Sequence, residues 1–454
     1  MNQLDGYREL FRLSIRIPDW RSDLGKLHRL SEVLFIMVVA LIAGAQDCEG
    51  ISRFGRKNIG WLRQFLTLKH GAPRHDMYLR VLAAVPAEHF ESLVRAWSSA
   101  LRAPGALTVD GQHVAFDGQS LRGSADRAAG QGPVHMVSAF LVEAGFTLGT
   151  LRVDDKSNEI TAIPDLIRSL NLKGATISSD AMGCQREIAA VVREAGAHYL
   201  LQVKENQPTL LQNIKDSMAE STRRRRPGEA AAQLEKHRHV DKGHGRIETR
   251  ICALSHDLSG IEKRAEWKDL TGIASVLRER EDVISGKTSR EISYYILSNA
   301  KATAADVAHL ARNHWAIENG LHWSLDVVWG SDAHGIRDRN AAENMARLRR
   351  FCAGMVKQSV GWGMSGKGVR EDCAWDPDTV LRVLAGEVIA LERLKVAPVK
   401  YLKGKDAAIT RKRKWRENTR RCRSCRCGGC RAASVTNAFS RGTRSRTVGT
   451  SGCT

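Results

Sequence analysis

Apolar residues recur at helical spacing from Leu30 to Ala45 and from His89 to Leu101, give way after Leu107 to short runs of strand length, and return to helical spacing at Thr303. The first stretch predicts an all-helical unit over residues 1–105. Within it VLFIMVVALIAGA, Val33 to Ala45, is apolar throughout. Its 13 residues fall short of the roughly 20 that a membrane-spanning helix needs, so it reads as a buried helix. Gly71-Ala72-Pro73 breaks the pattern ahead of a further helix starting near His75 or Asp76.

In TVDGQHVAFDGQS, Asp110-Gly111 suits a tight turn, and His113 to Phe116 reads as a strand running into Asp117-Gly118. VHMVSAFLV and FTLGTLRV are two more strands around the hairpin signal Glu143-Ala144-Gly145. A helix from Ile160 to Leu170, the strand ATISS ending in Asp180, a helix from Gln185 to Ala195 and the strand HYLLQVK to Lys204 follow. Three strands, then helix, strand, helix, strand is the order of a ribonuclease H-like α/β domain. In that order the ends of the first and fourth strands lie side by side, and Asp117 and Asp180 occupy them.

Pro208 to about Arg290 breaks the regularity, with a basic cluster at Arg223 to Arg226 and the strand-like HGRIETRICAL, His244 to Leu254, and reads as a mainly β insertion. Strand signal returns at ISYYILS, Ile292 to Ser298. Thr303 to Trp329 then reads as one long helix. At about 100° per residue, Ala311, His314, Glu318, His322 and Leu325 share a face, with Asp326 on its edge. A surface Glu beside an apolar stripe is the plain reading of Glu318. Helices from Asn340 to Gln358, bearing Arg347, Arg349 and Arg350, and from Asp376 to Leu394 complete the body.

Three carboxylates from distant parts of the chain suit a divalent-metal site. Mg²⁺ prefers oxygen ligands, with Mn²⁺ as a substitute, and two ions about 3.5–4 Å apart support in-line displacement at phosphorus. Asp117 would bridge both ions while Asp180 and Glu318 each hold one. Asp110, Asp154, Asp155 and Asp332 are competing acids, and a turn explains many an Asp-Gly.

The net charge of +20 points to a polyanionic partner, but residues 396–454 hold 16 of the 70 Lys and Arg against only Asp406 and Glu417. That leaves +6 over residues 1–395, so charge supports nucleic-acid binding without establishing it. Cys422, Cys425, Cys427 and Cys430 in CRSCRCGGC have thiolate-metal spacing, yet their Arg, Ser and Gly neighbours read as a disordered basic tail. The other six cysteines show no pairing logic, as expected in a reducing cytoplasm.

FDGQSLRGS (Phe116 to Ser124), HMVSAF (His135 to Phe140), DDKSNEITAIP (Asp154 to Pro164), SDAMGCQREIA (Ser179 to Ala189), YLLQVKENQ (Tyr199 to Gln207), HGRIETR (His244 to Arg250) and HWAIENGLHWSLDV (His314 to Val327) occur in this order. Together they closely resemble bacterial insertion-sequence transposases of the H-repeat-associated type, a branch of the DDE transposases with a ribonuclease H-like core. The resemblance spans roughly residues 5 to 390. By it, Asp117, Asp180 and Glu318 match the family's catalytic Asp, Asp and Glu, and residues 1–105 match its associated domain. It implies a catalytic domain over residues 106–395 with its insertion at about 208–290, acting on double-stranded DNA at the bacterial nucleoid. The activity implied is cleavage at the element's terminal inverted repeats and joining of 3′-hydroxyls to target DNA, by a homo-oligomer and with no membrane partner. A metal-dependent endonuclease without strand transfer, or a catalytically dead DNA-binding protein, is the alternative.

Related cut-and-paste enzymes place an Arg four residues before the Glu and a Lys seven after it. This chain has His314 and Leu325 there, which leaves Arg312 or His322 as substitutes. Lys156, Asn158 and Glu159 follow a strand, where a helix cap at Ser157 or Asn158 competes with phosphate or metal-site contact. Lys204, Asn206 and Gln207 are candidates for phosphate, and His244, Arg246 and Arg250 for the DNA backbone. His314 and His322 read as neighbours of the metal site or DNA contacts, and Trp315 and Trp323 as core.

Overall fold

The structure, a computed structural model, describes residues 3–389 except 20, 22–25, 101–108, 154–158, 224–233, 244 and 334. Helices α1 (Gln3–Ser14), α2 (Leu30–Ile42), α3 (Cys48–Lys57), α4 (Ile59–Leu62), α5 (His75–Ala84) and α6 (Ala87–Ala100) form the amino-terminal part. The sequence pattern brought out α2, α5 and α6; the other three carry too few apolar positions to stand out. Every residue of α2 is buried, Glu32 included. That carboxylate is satisfied by the backbone N–H groups of Arg29, Thr67 and Leu68 at 3.1–3.3 Å, which is what permits an acid inside the core. Among the described residues no helix is long and apolar enough to cross a membrane.

Strands β1 (His113–Leu121), β2 (Val134–Leu141) and β3 (Phe146–Val153) are followed by α7 (Glu159–Arg168), β4 (Thr176–Ser179), α8 (Arg186–Glu194) and β5 (His198–Val203), in the order the sequence predicts. Next come α9 (Pro208–Arg223) and the strands β6 (Glu235–Gly243), β7 (Arg246–Ser255), β8 (Gly272–Asp282) and β9 (Thr288–Leu297). All nine strands join one mixed sheet in the order β3-β2-β1-β4-β5-β9-β8-β7-β6, with β1, β4 and β5 parallel. The insertion therefore opens with a helix and then lengthens the sheet. Antiparallel pairing of β9 with β5 joins the two halves.

Side-chain alternation along β1 separates two cores. Val114 and Phe116 face Ile163 of α7 and Ile188 of α8. Ala115 and Leu121 face the other side, in one cluster with Phe35, Trp97 and Phe351. The amino-terminal helices thus share their core with the sheet.

Thr303 to Trp329 is not one α-helix. It comprises α10 (Ala304–His314), a π-helical turn over Ile317–His322, and α11 (Trp323–Val327). A π turn takes up one extra residue, so the face assigned at 100° spacing breaks inside it. Ala311, His314, His322 and Leu325 are buried, but Glu318 is exposed. Gly320, a poor α-helix former, lies within the turn. After it come α12 (Arg339–Gln358), α13 (Gly366–Trp375) and α14 (Asp378–Leu384). The expected helix from Asp376 to Leu394 is shorter in its described part, since α14 stops at Leu384. The tail at 396–454, with its cysteines, lies outside the described residues.

Candidate active site

Asp117 is inside β1 rather than at its end, paired with Ser138 of β2. What ends here is β4. Phe116 pairs with Ser179 in parallel register, so Asp117 and Asp180 are the next residues of neighbouring strands, at the point where β4 stops and the β1 edge opens. Glu318 comes from the π turn, which packs against β1.

Among the described residues no Lys or Arg forms an ion pair with Asp117, Asp180 or Glu318. Burial, then the carboxylates of Glu159, Glu318 and Asp180, push Asp117 up to about 8, although a backbone hydrogen bond from Gly118 offsets part of this. Asp180 is also raised, first by burial, while the N–H groups of Met182 and Gly183 donate to its Oδ1 at 3.0 and 3.4 Å and hold it down. Among the described residues no three His, Cys, Asp or Glu side chains stand at distances that hold an ion. The acids are close enough to repel one another but are not gathered as a finished ligand set.

His322 is buried beside Asp117. Its Nδ1 lies 3.4 Å from Asp117 Oδ2, and its buried Nε2 has no partner among the described residues. Burial and then Arg350 lower it to about 3, so at neutral pH the contact is a neutral imidazole against a carboxyl rather than an ion pair. His314 is also buried. The hydroxyl of Ser178 joins its Nδ1, at 2.9 Å, to His113 Nε2, at 2.6 Å, which ties α10 to β4 and β1. Behind Asp117, Arg350 donates to Gln119 Oε1 at 2.8 Å, and Gln119 donates to Asp326 Oδ1 at 2.8 Å.

The other candidates divide by what they touch. Asn206 and Gln207 donate to the carbonyls of Ala181 and Cys184 at 2.6 and 3.0 Å, and so hold the loop after Asp180. Lys204 is exposed, and its charge favours the ionised form of Asp180. Arg250 and Arg312 both bond Asp241, at 2.9 and 2.8 Å, closing α10 against β6 and β7. Arg246 is exposed at the start of β7. Lys156, Asn158 and His244 lie outside the described residues. Trp315 and Trp323 are not core: they are 36% and 58% exposed. An open groove of about 700 Å³ runs past Asn319, Trp323 and Val327 to Lys357 and Lys367.

In the sequence Glu159 is one of three polar residues after a strand, with a helix cap and phosphate or metal-site contact both open. Its Oε1 lies 2.7 Å from His135 Nε2, and it is the foremost carboxylate acting on both Asp117 and Asp180.

These shifts fix how stability varies with pH. An acid raised in the folded state binds extra protons there, so stability falls as pH climbs from its unfolded value of 3.8 toward about 8. His113, His314 and His322, all lowered by burial, act the other way, and their penalty disappears above about 6.5, the usual imidazole value. Between about pH 6.5 and 8 the Asp117 contribution dominates. The melting temperature of metal-free protein is expected to fall over that interval, and Asp117→Asn to flatten the slope. An unchanged slope would show that Asp117 is ionised throughout.

A family model described as the transposase DDE domain matches residues 103–355, and one described as DDE_Tnp_1-associated matches residues 14–98. YncI of Escherichia coli O157:H7, named as a transposase, is 36% identical over 345 residues, 75% of this chain and 85% of its own. YbfL of Escherichia coli K12 is 33% identical over 374 residues, 82% of this chain and 96% of its own. YhhI of the same strain, named as an H repeat-associated transposase, is 32% identical over the same shares. A solved piggyBac transposase synaptic complex with hairpin DNA gives a TM-score of 0.36 at 11% identity, over 94% of this chain and 86% of its own, too low to bear on the fold.

Proposed function

The chain belongs to the DDE-domain transposases, and from that premise we propose that it binds the ends of its own insertion sequence, cleaves them by divalent-metal-dependent phosphoryl transfer, and joins the 3′-hydroxyls to target DNA. The observation that carries the reading is a half-buried acidic pair, Asp117 in β1 and Asp180 just past β4, at neighbouring register positions of parallel strands, with Glu318 acting on Asp117 and, among the described residues, no Lys or Arg in an ion pair with any of the three. The sheet around that pair, three strands and then alternating helix and strand, suits a ribonuclease H-like core.

The donor set fits a hard divalent ion. It offers carboxylate oxygens without thiolates, and an Asp117 that ionises near neutrality only when positive charge arrives. Asp117, Asp180 and Glu318 would hold Mg²⁺ or Mn²⁺. When bound, such ions lower the pKa of an attacking oxygen and stabilise the leaving one. The chain's own residues do the rest. His322 supports Asp117 from behind, Asn206 and Gln207 fix the Asp180 loop, and Lys204 lies within reach of a scissile phosphate at the strand ends. The groove that starts at Asn319, next to Glu318 in the π turn, carries Lys357 and Lys367, which can hold DNA phosphates. The amino-terminal helices read the element's ends, and the protein works as a homo-oligomer that pairs two of them.

Incubating full-length protein with labelled element ends, a target plasmid and Mg²⁺ tests this. Joined product is expected. Cut product without joining would make the protein an endonuclease, and a gel shift without cutting would make it a DNA-binding protein with a dead site.

A further inference from the structure

We propose that the outer part of the four-stranded extension β6–β9 is an interface with a second copy of this chain, packed front to front about a two-fold axis along β7. The inference rests on the reading above for a homo-oligomer and names its surface from separate observations, an uncovered apolar face and the charges that frame it.

Alternation gives the extension two faces. On one, Cys252, Val276 and Tyr295 share a core with Ala304, Val307 and Ala311 of α10. On the other, Ile273 and Ile296 share a core with Ile214 and Met218 of α9. Farther out toward the hairpin turns this second face continues: Ile251, Leu277 and Ile292 stand in one cross-strand row, with Ile247 and Val240 beyond them. None of these five joins a core cluster of the described residues, and Val240 and Ile292 are 40% and 52% exposed. An exposed apolar patch rimmed by charge marks a docking site.

The charges on the same face indicate what docks. Lys236, Arg238 and Lys242 make its β6 side basic, and Glu279 and Glu281 make its β8 side acidic. Glu279 is taken by Arg290 of β9, but Lys242 and Glu281 are exposed and form no ion pair among the described residues. Both flank Ile247, their common register partner on β7. A two-fold axis along β7 exchanges the β6 and β8 sides. Lys242 of each copy then stands opposite the partner's Glu281, while Ile247 and Ile251 meet their own counterparts. Sheets packed face to face stand roughly 10 Å apart, a gap that a lysine and a glutamate side chain span together. A polyanion such as DNA matches the face less well, because it would meet the acidic β8 side.

Sedimentation velocity of full-length, DNA-free protein over a concentration series tests this. The unaltered chain is expected to dimerise. Lys242→Glu or Glu281→Lys alone is expected to weaken the dimer about tenfold or more, since each sets like charges opposite one another at two symmetric places. Both substitutions in one chain should restore it. Mixing the two single variants should also restore it, because one then carries acid and the other base at both positions, a result that loss of fold cannot imitate. Both side chains are exposed, and circular dichroism checks that each variant is folded. A monomer at every concentration, or single variants that dimerise as the unaltered chain does, would overturn the proposal. A gel shift weakened by Lys242→Glu and strengthened by Glu281→Lys, with sedimentation unchanged, would overturn it in favour of DNA on this face. The transposase reading stands or falls separately, on the joined product, which a chain that is monomeric without DNA can still form.

Discussion

Asp117→Asn, Asp180→Asn and Glu318→Gln are each expected to lower DNA cleavage on the order of a thousandfold or more, because metal ligation contributes several kcal/mol to transition-state stabilisation. Binding to element ends should stay within a few-fold of the unaltered chain, since each amide keeps the shape of its side chain, and in Asp180→Asn the amide oxygen can still accept from Met182 and Gly183. The two aspartate variants each replace a carboxyl whose ionised form burial disfavours, so their melting temperatures should hold or rise. Gel shift and cleavage on one labelled substrate read both effects. Substantial cutting by any one variant would take that residue out of the site. Asp110→Asn is the control and should remain active.

Arg347→Ala is expected to destabilise the whole chain by about 3–5 kcal/mol, the usual cost of stranding a buried charge. Arg347 is 3% exposed and bonds Glu91 of α6 at 2.8 Å and Glu343 of α12 at 2.6 Å. Glu343 also takes Arg152 of β3 at 2.9 Å, and Glu91 accepts from the backbone N–H of Thr150 at 3.1 Å. One network therefore ties an amino-terminal helix, the sheet and α12 together. Removing the guanidinium takes away the cation that joins the two carboxylates, leaving Glu91 to Arg95 and Glu343 to Arg152. Urea unfolding should show a lower midpoint with one transition, and two separate transitions would mean that the amino-terminal helices fold alone. By the same reasoning a fragment of residues 1–105 is expected not to melt cooperatively. It lacks α12, against which α2, α5 and α6 pack. End recognition is therefore best measured in the full chain, with substitutions on exposed faces of those helices.

Local sequence pattern determined the elements around the site. Alternation and turn residues located β1 to β5, α7 and α8, because strand and helix periods differ and Gly and Asp mark where one yields to the other. It also named Asp117 and Asp180, although it put Asp117 at the end of β1, where pairing with β2 carries the strand on to Leu121; the parallel register still makes the two neighbours. Three matters lay beyond it. Helical periodicity assumes a constant 100° step, so the π turn that carries Glu318 and interrupts the predicted face could not be read from spacing. The sequence marked β7 and β9 as strands, but not that they and β6 and β8 would lengthen the same sheet, which was decided by the pairing of β9 with β5. The placement of Glu159 over Gly118 depends on how α7 crosses β1 and β2, a contact between residues 41 positions apart that no local pattern encodes. The same holds for Asn206, Gln207, Arg250 and Arg312: their chemistry was visible in the sequence, but whether each met DNA, a carbonyl or Asp241 was settled only when distant segments packed together.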